Sequence, residues 1–318
     1  MKRGNTFFPT VRFRQQQESE RLLSVAANSI NDSRGTSVGN ENRPIQPVAN
    51  GSQLKFYEVV GPPGAGKSTF VQTATSASSD TIFRDLEGAL FLGLCRAKGI
   101  TPNEVTQKWS WRSRGTPLER RNRFVAAEFH LSHLRFDALL DFCSNYSGLM
   151  ALVFRALPGG TSETHRRDVL NWLFNFYARF HYVNTTTTES LNVLVDEGFV
   201  GRAITLFAYA WPSARHADLQ AYLHVIPRPH TVIRLNLGSD RCFERLRLRA
   251  KGIPKRFKRL STKEQLMTLR FCQECLDMAV SELIAMGTPV IDVDALLAPQ
   301  EQVRRVVETV RRSAAQLS

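Results

Sequence analysis

The sequence predicts an α/β protein in three layers, a parallel five-stranded sheet wrapped by helices. Five short runs carry this reading: LKFYEVV, TIFRDL, LNVLVDE, HTVIRLNL and TPVIDV. Each is rich in β-branched and aromatic residues and nearly continuous in apolar character, as strands buried on both faces are. Stretches of helical periodicity separate them, and such alternation produces parallel strands in one sheet. At 318 residues with 42% apolar side chains, the chain has enough material for a substantial core.

Residues 1 to 53 come first. They include NSINDSRGTSVGNENRPIQPVANGSQ, a Ser/Asn/Gly/Pro-rich stretch with few large apolar residues, which predicts a disordered tail. The domain is expected to span residues 54–318, beginning with LKFYEVV as its first strand.

That strand runs into EVVGPPGAGKSTF, where three glycines and a lysine follow directly on an apolar run. Glycines let successive backbone N–H groups turn inward, the next helix adds its positive dipole end, and a lysine reaches the outer phosphates of a bound triphosphate. Gly61, four residues, then Gly66, Lys67 and Ser68 satisfy the P-loop pattern. The expected phosphate cradle is Gly61, Pro62, Pro63, Gly64, Ala65, Gly66, Lys67, Ser68 and Thr69, and KSTFVQTATSA continues it as a helix. A Gly-Pro turn without a ligand is the bland alternative, and the strand before and helix after favour the nucleotide.

The TIFRDL strand is followed by residues 88 to 188, too long for a bare crossover. RFVAAEFHLSHLRFDALLDFC and RRDVLNWLFNFYARFHYV read as helices of a subdomain beside the sheet. WSWRSRGTPLERRNR, within this insertion, reads as a solvated loop that closes over a phosphorylated ligand, in preference to bases stacking on Trp109 and Trp111.

LNVLVDE, the third strand, ends in Asp196 and Glu197, at the carboxyl edge where open α/β sheets bind ligands. Two chemistries are open. Asp196 can serve Mg²⁺ together with Ser68, or contact an acceptor, in phosphoryl transfer; Glu197 can polarise water in ATP hydrolysis. An acidic helix cap is the bland reading. The fourth strand leads into residues 238–263, dense in Lys and Arg, with Arg245 and Arg249 one helical turn apart and Gly252 and Pro254 breaking the helix beyond them. A hinged arginine-bearing flap over the triphosphate is the favoured reading against a solvated basic helix.

The formal net charge is +13, which favours polyphosphate, nucleic acid or an anionic surface as partner. Five scattered cysteines (Cys95, Cys143, Cys242, Cys272 and Cys275) do not form a disulfide framework. The Cys272–Cys275 pair reads as buried helical thiols rather than half a zinc site, and His130 with His133 lacks a third ligand. No stretch reaches the roughly 18 apolar residues of a membrane span, and the start lacks a signal-peptide apolar core, so a cytoplasmic protein without membrane attachment is expected.

The order of P-loop, acidic third-strand terminus, VIRLNLGSDRCFERLRLR and PVIDVD resembles the P-loop kinases of the nucleoside and nucleotide kinase type, thymidylate and deoxynucleoside kinases included. The resemblance implies sheet order 2-3-1-4-5, ATP and Mg²⁺ as cofactors, and a small-molecule acceptor, nucleoside- or nucleotide-like. It implies that Lys67 bridges the outer phosphates, that Arg245 lies by the adenine and phosphates, and that Arg249 neutralises the transferring group. Asp85 or Glu87 would contact the acceptor hydroxyl. The chain departs from that family at the end of strand three, where Asp196-Glu197 replaces a carboxylate followed by arginine and the nearest arginine is Arg202. A P-loop ATPase acting as a switch or motor on nucleic acid is the alternative.

Overall fold

A computed structural model describes residues 54–76, 82–108, 116–157, 163–208, 216–249, 252–254, 257–258 and 260–315. Its strands are β1 (Leu54–Val60), β2 (Arg84–Asp85), β3 (Leu191–Asp196), β4 (Thr231–Asn236) and β5 (Val290–Asp294). They form one all-parallel sheet in the order β2-β3-β1-β4-β5, as expected. The central strand β1 aligns Glu58 with Val195 and Val59 with Asp196 on one side, and Val60 with Arg234 on the other.

Side chains of β1 alternate between two helical layers. Tyr57 and Val59 enter a core with Phe70 and Val71 of α1 (Lys67–Ser76), Leu246 of α10 (Ser239–Leu248), Leu269 of α11 (Thr262–Ala285) and Val306 of α12 (Pro299–Ala315). Phe56 faces the opposite way, against Phe180 of α7 (Glu163–Thr186) and Phe199 of α8 (Phe199–Phe207), at ring-centroid distances of 5.0 and 6.2 Å. Edge-to-face pairs of this kind are worth about 0.5–1.5 kcal/mol each beyond the area they bury. The helix α9 (His216–Val225) completes that side, with the Tyr222 hydroxyl donating to the carbonyl of Phe199 at 2.9 Å.

Between β2 and β3 lie α2 (Leu86–Ala97), α3 (Pro102–Lys108), α4 (Pro117–Val125), α5 (His133–Asn145), α6 (Ser147–Ala156) and α7. Phe142 of α5 stacks on Tyr177 of α7 at 4.6 Å and parallel to Phe199, so this insertion carries its own aromatic core up to the sheet. Two expectations change here. The helix read over RFVAAEFHLSHLRFDALLDFC is broken: α4 passes through one π-helical turn, Ala126–His130, and stops at Leu131 before α5 begins. The Ser132 hydroxyl donates to the Glu128 carbonyl at 2.6 Å, a local bond of the kind that competes with helix continuation. The piece read as a loop is helical from Pro117 on, because Thr116 and Glu119 form a reciprocal capping box; Trp109 and Trp111 lie outside the described residues.

The thiols of Cys272 and Cys275 are buried in α11, and desolvation pushes Cys275 up to about 12. Among the described residues no helix is long and apolar enough to cross a membrane. The architecture is a three-layer α/β fold, with a helical segment between β2 and β3.

Candidate functional site

The P-loop joins β1 to α1, and two glycines make its path possible. Gly64 (φ 95°) and Gly66 (φ 102°) occupy the left-handed region that side chains with a Cβ avoid. Gly64 has a second reason: a Cβ there would lie 2.6 Å from the carbonyl oxygen of Cys242, so α10 rests directly on the loop. The Lys67 ammonium folds back onto the loop, donating to the carbonyls of Gly61 at 2.8 Å and Pro62 at 3.4 Å. Ser68 and Thr69 are exposed at the start of α1.

Ser68 reaches across to the end of β3, its hydroxyl donating to Asp196 Oδ2 at 2.6 Å. Asp196 Oδ1 is buried and has no hydrogen-bond partner. Burial pushes the Asp196 carboxyl above its usual range, opposed by the Ser68 hydrogen bond and the Lys67 ammonium, while Glu197 adds to the rise. Among the described residues no three His, Cys, Asp or Glu side chains cluster as a metal cage. A hydroxyl beside a carboxylate with a free oxygen is nevertheless the donor set that suits Mg²⁺, which takes one or two protein oxygens and completes its shell with water and phosphate. Glu197 takes φ 59°, the single non-glycine residue in the left-handed region among those described. Neither acidic residue caps α8, whose N-cap is Gly198.

From the other side, Arg245 in α10 donates to the carbonyl of Ala65 in the loop at 3.3 Å and to that of Ala295, just past β5, at 2.9 Å. Arg249, read from the sequence as continuing the same helical face, is instead the C-cap of α10 with extended backbone, and is exposed. Arg247 lies over the ring of Phe243, 5.7 Å from its centroid.

Beyond Asp196 the carboxyl edge of the sheet meets the helical insertion, and charged side chains gather there. Asp85 caps α2, accepting from the Gly88 amide at 2.7 Å, with Arg121 of α4 3.6 Å away. Glu87 pairs with Arg179 of α7 at 2.6 Å. Burial lowers the pKa of His130, from the π turn, with Glu87 pulling it up and Arg179 and Arg135 pulling it further down.

Arg202 of α8, noted in the sequence only as the arginine nearest to Asp196-Glu197, received no site role there. It is 2% exposed, lies 4.0 Å from the Trp172 ring centroid and 4.9 Å from that of Phe176, and its Nε and one terminal nitrogen have no hydrogen-bond partner. Burial lowers its pKa to about 10, against the pull of Glu197. Arg121 Nε is likewise buried and unpartnered. Buried donors without acceptors are costly, on the order of 1–3 kcal/mol or more each, and guanidinium N–H groups match the oxygens of phosphate or carboxylate. The only sequence signal for Arg202 was its nearness to Asp196.

No protein-family model matches the sequence, and no curated protein matches it. Among solved structures, a shikimate kinase from Acinetobacter baumannii in complex with shikimate is similar over 84% of this chain and 98% of its own, at 15% identity and a TM-score of 0.34.

Proposed function

We propose that the protein is an ATP-dependent phosphotransferase that moves the γ-phosphoryl group to a small acceptor bearing an anionic group. One observation carries the reading: Asp196 accepts from Ser68 on one side and feels the charge of Arg202 on the other. On one side are the P-loop, Lys67, Ser68 and Arg245, arranged for a nucleotide triphosphate. On the other are Arg202 and Arg121 with buried, unsatisfied donors, beside the Glu87–Arg179 pair. An ATPase that hydrolyses with water needs the first half only; the second offers N–H groups to the oxygens of a second substrate. A nucleoside or nucleotide, the acceptor class that the motif resemblance implies, is one class to test there.

The chain's own residues would divide the work as follows. Loop amides and Lys67 hold the phosphates, Ser68 and Asp196 hold Mg²⁺, and Arg245 and Arg249 close from the lid. Bound there, Mg²⁺ supplies charge neutralisation on the phosphate oxygens. Orienting the acceptor falls to Arg202, Arg121 and Glu87, so rate comes from positioning and electrostatics rather than from covalent chemistry.

The test is transfer of label from γ-labelled ATP in the presence of Mg²⁺ to a panel of nucleosides, nucleotides, sugars and hydroxy acids, with each neutral compound paired to an anionic counterpart. Label on an anionic small molecule is expected. Hydrolysis that transfers nothing and rises strongly with DNA or RNA would overturn the reading in favour of a nucleic-acid-dependent ATPase.

A further inference from the structure

Within the buried run Phe56–Val60 of the central strand β1, Glu58 is the one charged side chain and is 0% exposed. Its register partner in β3 is Val195, the residue before Asp196, and its side chain points into the α8 layer. There it meets a helix whose N-cap is a glycine with no side chain to offer. Glu58 Oε1 accepts from the Gly201 amide at 2.7 Å, and the amides of Phe199 and Val200 face the same carboxyl. Glu58 therefore supplies an acceptor to the first turn of α8 from the sheet, a place usually filled by a cap from the helix's own chain, while its Oε2 is buried without a hydrogen-bond partner. Gly198 is fitted to it: a Cβ on Gly198 would lie 2.6 Å from the Glu58 carboxyl carbon and 2.8 Å from Oε2.

These contacts bracket Glu197, whose left-handed backbone costs on the order of 1 kcal/mol and persists only where its surroundings over-determine it. Behind it stands Asp196, bonded to Ser68. We propose that Glu58 is a positioning residue: its carboxyl, wedged against Gly198 and holding the Gly201 amide of α8, fixes where the Asp196–Glu197 turn stands relative to Ser68. The inference rests on the reading that Asp196 serves Mg²⁺ at the nucleotide phosphates. A leucine of similar volume would fill the space at lower desolvation cost, but only an acceptor oxygen holds that amide.

The experiment compares E58Q, E58L, E58A, G198A and the double variant E58A/G198A in the full chain. It measures the affinity of a fluorescent ADP analogue with and without Mg²⁺, the half-saturating Mg²⁺ concentration, kcat, and thermal unfolding. E58Q keeps an acceptor oxygen and is expected to stay within about 3-fold of wild type in Mg²⁺ half-saturation. E58L and G198A are expected to raise that concentration roughly 10-fold and lower kcat by a similar factor, while nucleotide affinity without Mg²⁺ moves by less than about 2-fold. The two sites must also be coupled: E58A vacates the space that the Gly198→Ala methyl needs, so E58A/G198A is expected to be no worse than E58A alone. Wild-type Mg²⁺ dependence in both E58L and G198A, or effects of E58A and G198A that simply multiply, would overturn the proposal. If E58L does not fold, G198A and the double variant carry the test. Because Mg²⁺-linked nucleotide affinity is read without any acceptor, failure to label an acceptor would reject phosphotransfer and leave this inference standing or falling on its own measurement.

Discussion

The Lys67 ammonium rests on two backbone carbonyls of its own loop, where a triphosphate would compete it away. Charge-assisted bonds are worth about 1.5–3 kcal/mol, so Lys67→Ala is expected to lose roughly 10- to 100-fold in ATP affinity, with turnover falling alongside. Titration with a fluorescent ATP analogue checks this, and unchanged affinity would remove the P-loop from the function. Glu58 makes a second residue-level prediction. Burial raises its pKa from 4.5 to about 7, against the amide bonds that pull it down. Its folded state thus favours the neutral carboxyl, so this group's contribution to stability is intact below about pH 4.5 and declines as pH rises to about 7. Urea unfolding is expected to show E58Q gaining on wild type between pH 5 and pH 8, by about 3 kcal/mol at most. A wild-type-to-E58Q difference that stays flat with pH would show that Glu58 is ionised throughout.

At the level of elements, α10 connects the loop after β1 with the end of β5. Arg245 ties it to Ala65 and Ala295, whereas Arg249 stands at its C-cap, followed by Gly252 with φ 71°. If Arg249 meets the transferring group only when the flap closes, Arg249→Ala is expected to lower kcat by about 10³ with little loss of ATP binding. Arg247→Ala, which removes only a stacking contact with Phe243, is expected to change kcat by less than about 3-fold. Small and equal effects of Ala at 245, 247 and 249 would end the lid reading. The elements also show what was legible in the sequence. β1 and the P-loop pattern were readable because periodicity and motif spacing are local, whereas the sheet order came only with the family resemblance. The break between α4 and α5 was hidden because the apolar pattern runs through it while one serine hydroxyl bonds backward. Glu58 and Arg202 were hidden for another reason: their partners, Gly198 and Gly201 for one and Trp172 for the other, come from elements remote in sequence. Nothing in LKFYEVV announces that a helix beginning at residue 199 needs an acceptor there.

On the scale of the whole molecule, the composition of residues 1 to 53 predicts that removing residues 1–50 shifts the melting temperature by no more than a few degrees. A calorimetric scan of the shortened chain tests this, and a larger drop would make that segment part of the fold. The sheet topology has a consequence for synthesis. The two neighbours of β1 are β3 and β4, and the entire helical insertion separates β1 from β3 in the chain. At ribosomal speeds the first strand waits on the order of ten seconds for a partner. Phe56 and Val60 have no sheet to join in that interval. The insertion is differently placed, since Phe142 and Tyr177 can stack as soon as α5 and α7 exist. The nascent chain is therefore expected to build from its middle outward, with β1 held in reserve until Leu191–Asp196 emerges, so that the glycine-rich loop takes its place later than the insertion made after it.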